Sequence, residues 1–246
     1  MLELTGLTIR AGDTTLVEDL SLDLATGRLT CLIGPSGCGK SSVIKWLSGV
    51  LAPELTANGQ AQLDGAALSL PHPTIAYQPQ QDTLFPWLTI LENATLGLEI
   101  RGAARTVARD RVRPLFPTFG LAGHEDSFPD QLSGGMRQRA AFLRTMVQNA
   151  QVLLLDEPFS ALDAVTRLRM QDWLTARLED DPRAVLLVTH DLFEATQIAD
   201  RVLVMGRRPG RIIADIPITT RRRDRTEASL AETRSLLKSL LLEDTP

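Results

Sequence analysis

Gly34-Pro35-Ser36-Gly37-Cys38-Gly39-Lys40-Ser41 stands between a short apolar run, Leu29-Thr30-Cys31-Leu32-Ile33, and a stretch of helical character from Lys40 to about Gly49. The octet fits G-x-x-x-x-G-K-[ST] in the setting its chemistry needs, after a strand and at the start of a helix. Glycines permit backbone conformations that turn consecutive N–H groups inward, making a nest for phosphate oxygens. The helix beginning at Lys40 adds the positive end of its dipole. Lys40 is expected to reach the β- and γ-phosphates of a nucleotide, and the Ser41 hydroxyl to ligate Mg2+.

Working outward, Val152-Leu153-Leu154-Leu155 is a continuous apolar strand that ends in Asp156-Glu157, about 120 residues further on. In an open parallel sheet ligands bind at the carboxyl ends of the strands. Asp156 is expected to hold Mg2+ and Glu157 to orient and deprotonate the attacking water. Taken alone, the acidic pair also fits a solvated turn; the phosphate loop upstream favours the catalytic reading.

Leu132-Ser133-Gly134-Gly135-Met136-Arg137-Gln138-Arg139 lies just before another helix, which runs to about Asn149. Ser133 and the N–H groups of Gly134 and Gly135 make a second anion site at a helix N-terminus. One chain needs a single phosphate loop per nucleotide. A second phosphate-binding element suggests that this chain completes the site of a partner copy.

The rest of the chain fits that frame. Leu2–Ile9 and Leu20–Leu24 alternate apolar and polar residues and read as half-buried strands. Residues 53–59 read as a loop and 60–64 as a strand. Thr89 to about Leu121 reads as mostly helical, interrupted at Pro114 and Pro117. Val165–Leu178 and Asp191–Ala199 read as helices, and Ala184–Val188 and Val202–Val204 as strands. Apolar strands alternating with helices indicate an α/β fold with a mainly parallel sheet. Thr226–Leu242 carries Leu230, Leu237 and Leu241 on one helical face, after the run Arg221-Arg222-Arg223-Asp224-Arg225. That run is expected to be a solvated linker, or to touch membrane headgroups or a partner loop.

Composition sets limits. The 246 residues, 43% hydrophobic and 23% charged, suit a soluble globular protein, and the net charge of −4 gives no basis for a nucleic-acid partner. Two cysteines, Cys31 and Cys38, do not make a disulfide framework. No apolar run reaches the roughly 20 residues that span a bilayer, and no secretory signal is evident. A peripheral position on the cytoplasmic face of the plasma membrane is expected, with another chain crossing it.

With these motifs in order, the sequence resembles the ABC ATPase family from Leu2 to about Ile216. The series runs from the phosphate loop through a glutamine loop, the LSGG signature and the Asp156-Glu157 strand to Ser160-Ala161-Leu162-Asp163 and His190. The resemblance implies a RecA-like P-loop NTPase core with an antiparallel β subdomain and an inserted α-helical subdomain. The expected division is a single domain over 1–246, with core 1–83 and 136–217, helical subdomain 84–135 and a C-terminal helix over 226–242.

The resemblance also implies roles. Gly34, Pro35, Ser36, Gly37, Cys38, Gly39, Lys40, Ser41 and Ser42 bind ATP. Leu132, Ser133, Gly134, Gly135 and Met136 meet the ATP of the partner subunit in a homodimer. Gln80 contacts Mg2+, with Ser41 and Asp156, and the attacking water; Gln78 and Gln81 are rival choices for that glutamine. His190, 33 residues after Glu157, contacts the γ-phosphate and holds Glu157. Asp163 bridges to the opposite subunit. Alkylation of Cys38 is expected to block turnover. The family's adenine-stacking aromatic falls at Ala11, where Arg10 offers a cation–π substitute.

For function, the resemblance implies an ATP-hydrolysing subunit that works with a transmembrane permease and a periplasmic or lipid-anchored solute-binding protein. Leu84-Phe85-Pro86-Trp87 and Arg208-Pro209-Gly210-Arg211-Ile212 are similar to the nitrate/sulfonate/taurine group of bacterial importers. The Leu51–Gly59 segment is closer to ATPases linked to thiamine or its pyrimidine precursor. Trp46 and Trp87 are candidates to line the groove for the permease, and core packing is the other reading of each. Repair and chromosome-structure ABC proteins carry long coiled-coil insertions, whereas Gly39 and Ser133 are 94 residues apart. An assembly ATPase remains the alternative.

Overall fold

The structure is a computed structural model that describes residues 1–207 and 209–243. Its elements run β1 (Leu2–Ala11), β2 (Thr14–Leu24), β3 (Leu29–Ile33), α1 (Lys40–Leu47), β4 (Leu55–Leu63), β5 (Ala66–Ala67) and β6 (Ile75–Gln78). Next come α2 (Ile90–Ile100), α3 (Arg105–Val112), α4 (Gly134–Met146), β7 (Val152–Asp156), α5 (Ala164–Asp180) and β8 (Ala184–Val188). The chain ends with α6 (Leu192–Ile198), β9 (Arg201–Met205), β10 (Ile212–Pro217) and α7 (Glu227–Glu243).

Two sheets organise the molecule. The larger has the order β10-β9-β3-β8-β7-β6, parallel throughout except for antiparallel β10. The smaller is antiparallel, β2-β1-β4-β5. Side chains on a strand alternate between faces, and here both faces are buried. Leu29, Cys31, Ile33, Leu153, Leu155, Val185 and Leu187 enter a core shared with α2, α3 and α4. Leu32, Leu154, Leu186 and Val188 enter a second core with α1 and the small sheet. Burial on both sides is why these strands read as unbroken apolar runs.

The segment 53–59, expected as a loop, is corrected here. From Leu55 onward it belongs to β4, which pairs with β1 from Ala11↔Leu55 to Leu2↔Leu63. The open edge of β1 supplies hydrogen-bond partners that outweigh the turn preference of Asn58-Gly59. The helical stretch after Thr89 is divided at Gly102, at φ 93°, before the prolines; Pro114 sits in a short 3-10 turn after α3. Strands β5, β6 and β10 were not anticipated.

The arginine run is also corrected. Arg222 donates to the Ile198 carbonyl at 2.9 Å and to Asp200 at 2.7 Å. Buried Arg225 donates to the carbonyls of Thr196 at 3.2 Å and Gln197 at 2.7 Å. Two arginines thus satisfy the orphan carbonyls and the negative end of α6. Beyond them Leu230 and Leu237 on α7 are buried in the first core and Leu241 packs against it.

Candidate functional site

The loop between β3 and α1 opens at the carboxyl end of the parallel sheet. Gly39 caps α1 at φ 106°, and a Cβ there would lie 2.6 Å from Val17 Cγ2. Only glycine meets both conditions. Lys40 Nζ donates to the carbonyls of Gly34 at 2.7 Å and Pro35 at 2.9 Å, so its ammonium is held inside the loop. Ser36 and Gly37 form the exposed crest. Cys38 contributes backbone only: its thiol is buried in the second core, 3.8 Å from Lys40 Nζ. The expected reactivity of Cys38 is corrected accordingly, because a buried thiol offers no access to an alkylating agent.

Gly210 supports this loop from below, a role that sequence reasoning missed. Its N–H donates to Leu16 O at 2.8 Å, its carbonyl accepts from Glu18 N–H at 3.0 Å, and a Cβ would stand 2.0 Å from Cys38 O. Arg208, in the same sequence segment, lies outside the described residues.

Ser41 Oγ donates to Asp156 Oδ1 at 3.1 Å, bringing the loop hydroxyl to the end of β7. Burial pushes the Asp156 carboxyl up, Ser41 opposes this, and the neighbouring Glu157 charge adds to it. A desolvated carboxylate beside a hydroxyl suits a divalent cation bridging to phosphate oxygens. Among the described residues no cluster of three His, Cys, Asp or Glu forms a protein-only metal cage.

Glu157 occupies the left-handed region at φ 46°, costly for a non-glycine residue and concentrated at functional sites. Its N–H donates to Val188 O at 2.9 Å, and its carbonyl accepts from Ser160 Oγ at 3.0 Å. So anchored, its Oε2 accepts from Gln80 Nε2 at 3.1 Å and faces His190 Nδ1 at 3.2 Å. Of the three glutamines, only Gln80 reaches the carboxylate. Gln78 is buried, and its amide has no hydrogen-bond partner among the described residues. Gln81 is exposed.

Ser133 caps α4, its Oγ accepting from Met136 N–H at 3.3 Å. Ser133 and Gly134 are exposed, Leu132 is buried, and Met136 packs against the first core. Met136 is therefore a packing residue, and the helix start presents free backbone donors. Asp163 caps α5 by accepting from Thr166 N–H at 3.0 Å; that bond holds its carboxyl below the usual range.

Three further residues tie these parts together. Gln138 donates to Gln80 O at 3.3 Å and Pro158 O at 3.2 Å. Arg137 bridges Leu132 O at 2.8 Å and Asp82 at 3.0 Å. Arg144 holds the carbonyls of Asp82 and Thr83, each at 2.9 Å. The signature helix thereby fixes the glutamine loop. Arg137 and Gln138 carried a sequence signal, their place in the Leu132–Arg139 stretch, whereas Arg144, nine residues after Gly135, carried none.

On the outer surface, Asn93 donates to the carbonyls of Phe85 and Leu88 and accepts from Phe85 N–H. The Thr89/Glu92 capping box starts α2 beside it. This turn leaves Trp87 70% exposed, its ring tilted by 49° against that of Phe85 at 5.4 Å. Trp46 instead packs against the second core. Ala11, half-buried, ends β1 next to exposed Arg10.

Residues 17–160 match the ABC transporter family model. The formylaminopyrimidine import ATP-binding protein ThiZ of Halalkalibacterium halodurans is 38% identical over 93% of this chain and 90% of its own. The aliphatic sulfonates import ATP-binding protein SsuB 2 of Burkholderia cenocepacia is 42% identical over 92% and 82%. Among solved structures, the dimeric post-hydrolysis state of the ATP-binding cassette MJ0796 bound to ADP and Pi matches at TM-score 0.79 and 27% identity. It covers 90% of this chain and all of that one. No helix among the described residues is long and apolar enough to cross a membrane.

Proposed function

This chain belongs to the ABC transporter family, and we propose that it is the ATP-hydrolysing subunit of an importer for a small organic anion of the nitrate, sulfonate or taurine kind. It is an ATPase of the ABC class. In this reading it sits peripherally on the cytoplasmic face of the plasma membrane. Its partners are a permease, a periplasmic or lipid-anchored solute-binding protein and a second copy of itself.

The observation that carries the reading is the convergence of Gln80 and His190 on Glu157 Oε2. A carboxylate so held can align a water with the γ-phosphate and take its proton. Lys40 and the loop N–H groups bind the triphosphate. Ser41, Asp156 and Gln80 would hold Mg2+, which supplies charge neutralisation at the phosphates when bound. Ser133 and the N–H groups of Gly134 and Gly135 would grip the partner's nucleotide, so ATP favours the closed dimer over the open one. Residues 1–83 and 136–217 act as core and 84–135 as a helical subdomain that receives the permease at Phe85 and Trp87.

Two relatives that are import ATP-binding proteins support the importer class. The ThiZ relative, 38% identical over 93% of this chain, supports a second reading, a thiamine-precursor importer. Glu157→Gln tests the engine: turnover falls by about 100-fold or more while ATP stays bound, and the protein elutes as a dimer. Turnover at the parent rate refutes the base assignment. ATPase stimulation of the reconstituted transporter by a sulfonate-loaded rather than a pyrimidine-loaded binding protein separates the two substrate readings.

A further inference from the structure

A cavity of about 50 Å³ lies behind the catalytic carboxylate, lined by Glu157, Ser160, Arg167, His190, Asp191 and Glu194 among others. Arg167, on the first turn of α5, spans two turns of the site. Its Nη2 donates to Leu162 O at 3.1 Å, and its Nη1 donates to Asp191 Oδ2 at 3.4 Å. Its Nε is buried without a partner among the described residues.

Both ends of this link matter. Leu162 immediately precedes Asp163, which caps α5 at the exposed surface. Asp191 immediately follows His190. Its Oδ1 caps α6 by accepting from Phe193 N–H at 2.8 Å and Glu194 N–H at 3.2 Å, and its own N–H donates to Thr189 Oγ1 at 3.0 Å. His190 is thus strung between two anchored neighbours, one of which is held by Arg167. Displacing a reacting group by about 1 Å costs on the order of 100-fold in rate, so a tether at this position sets catalytic geometry.

We propose that Arg167 is a positioning residue that couples the Asp163 turn to the His190 turn. Docking of the second copy against Asp163 is thereby transmitted to the contact between His190 and Glu157. The inference rests on the catalytic reading above and adds to it how dimer closure is sensed within one subunit.

The test uses the full-length protein with Arg167→Met, Arg167→Lys, Asp191→Asn and the double variant Arg167→Met/Asp191→Asn. Asparagine caps a helix about as well as aspartate, so Asp191→Asn removes the charge while α6 keeps its start. That variant also keeps the test open if Arg167→Met folds poorly. The readouts are kcat and KM for ATP, with binding of a fluorescent trinitrophenyl-ATP. We expect Arg167→Met and Asp191→Asn each to lower kcat by about tenfold with unchanged nucleotide affinity. The double variant is expected to be no slower than the worse single, and Arg167→Lys to recover part of the rate. Parent kcat in both single variants, or losses that multiply in the double, overturn the coupling. Failure of the catalytic reading shows separately, as Glu157→Gln turning over at the parent rate.

Discussion

Glu157 Oε2 lies 3.2 Å from His190 Nδ1 although the residues follow different strands. Register creates the contact. β7 and β8 are parallel neighbours with Asp156 opposite Val188, and the left-handed turn at Glu157 swings its carboxylate toward the loop after β8. His190 is 65% exposed at its side chain and Glu157 only 19%, so the imidazole is the more open member of the pair. His190→Ala is expected to lower single-turnover hydrolysis by about 100-fold with trinitrophenyl-ATP binding preserved. Loss of binding in place of turnover counts against this role.

Gly39 combines φ 106° with a missing Cβ that would meet Val17. Gly39→Ala is expected to cost about 2–4 kcal/mol and to abolish ATP binding. Adding Val17→Ala relieves the steric part and leaves the backbone strain. A melting curve of each variant, with and without Mg-ATP, separates the two.

Arg225 donates to three carbonyls from a buried position. Arg225→Met leaves those acceptors unpaired and is expected to cost about 2–3 kcal/mol, read as a lower urea midpoint at unchanged slope. Arg223, 73% exposed at its side chain, is the control: Arg223→Met changes stability by less than about 0.5 kcal/mol.

Hydrogen bonding from buried Arg183 holds the Asp181 carboxyl below the usual carboxylate range. A depressed folded pKa means stability that is present above the unfolded carboxyl's pKa and lost as pH falls through the lower folded value. Asp181 is 38% exposed at its side chain, so solvent screening limits the effect. Asp181→Asn is expected to cost about 0.5–1 kcal/mol at neutral pH. Urea titrations across pH 3–7 should show that difference closing at the acid end; a constant offset refutes the ionic origin.

Both cysteines are buried. Cys31 is further disfavoured as a nucleophile, since desolvation raises its thiol. The native protein is expected to resist Ellman's reagent and to react fully in denaturant. Rapid native labelling at Cys38 with loss of activity restores the discarded expectation.

Much of this molecule was written locally. The phosphate loop, the signature turn and the apolar strands β3, β7 and β8 were legible because each needs a particular residue at a particular spacing. The C-terminal helix was legible from Leu230, Leu237 and Leu241. Other features were not: β4 forms against an edge of β1 more than 40 residues earlier, and Arg222 and Arg225 find their carbonyls on α6. Long-range partners leave no trace in local composition.

The sequence by itself determined which chemistry the chain carries: a glycine nest with a lysine, an acidic pair after a buried strand, and a serine at a helix start. Tertiary structure alone decided that Gln80, among the three candidate glutamines, reaches Glu157, that Cys38 faces the core, and how Arg137, Gln138 and Arg144 hold the glutamine loop. The reason is physical. Residue type limits what a group can do, while register and burial decide which groups come within hydrogen-bond reach.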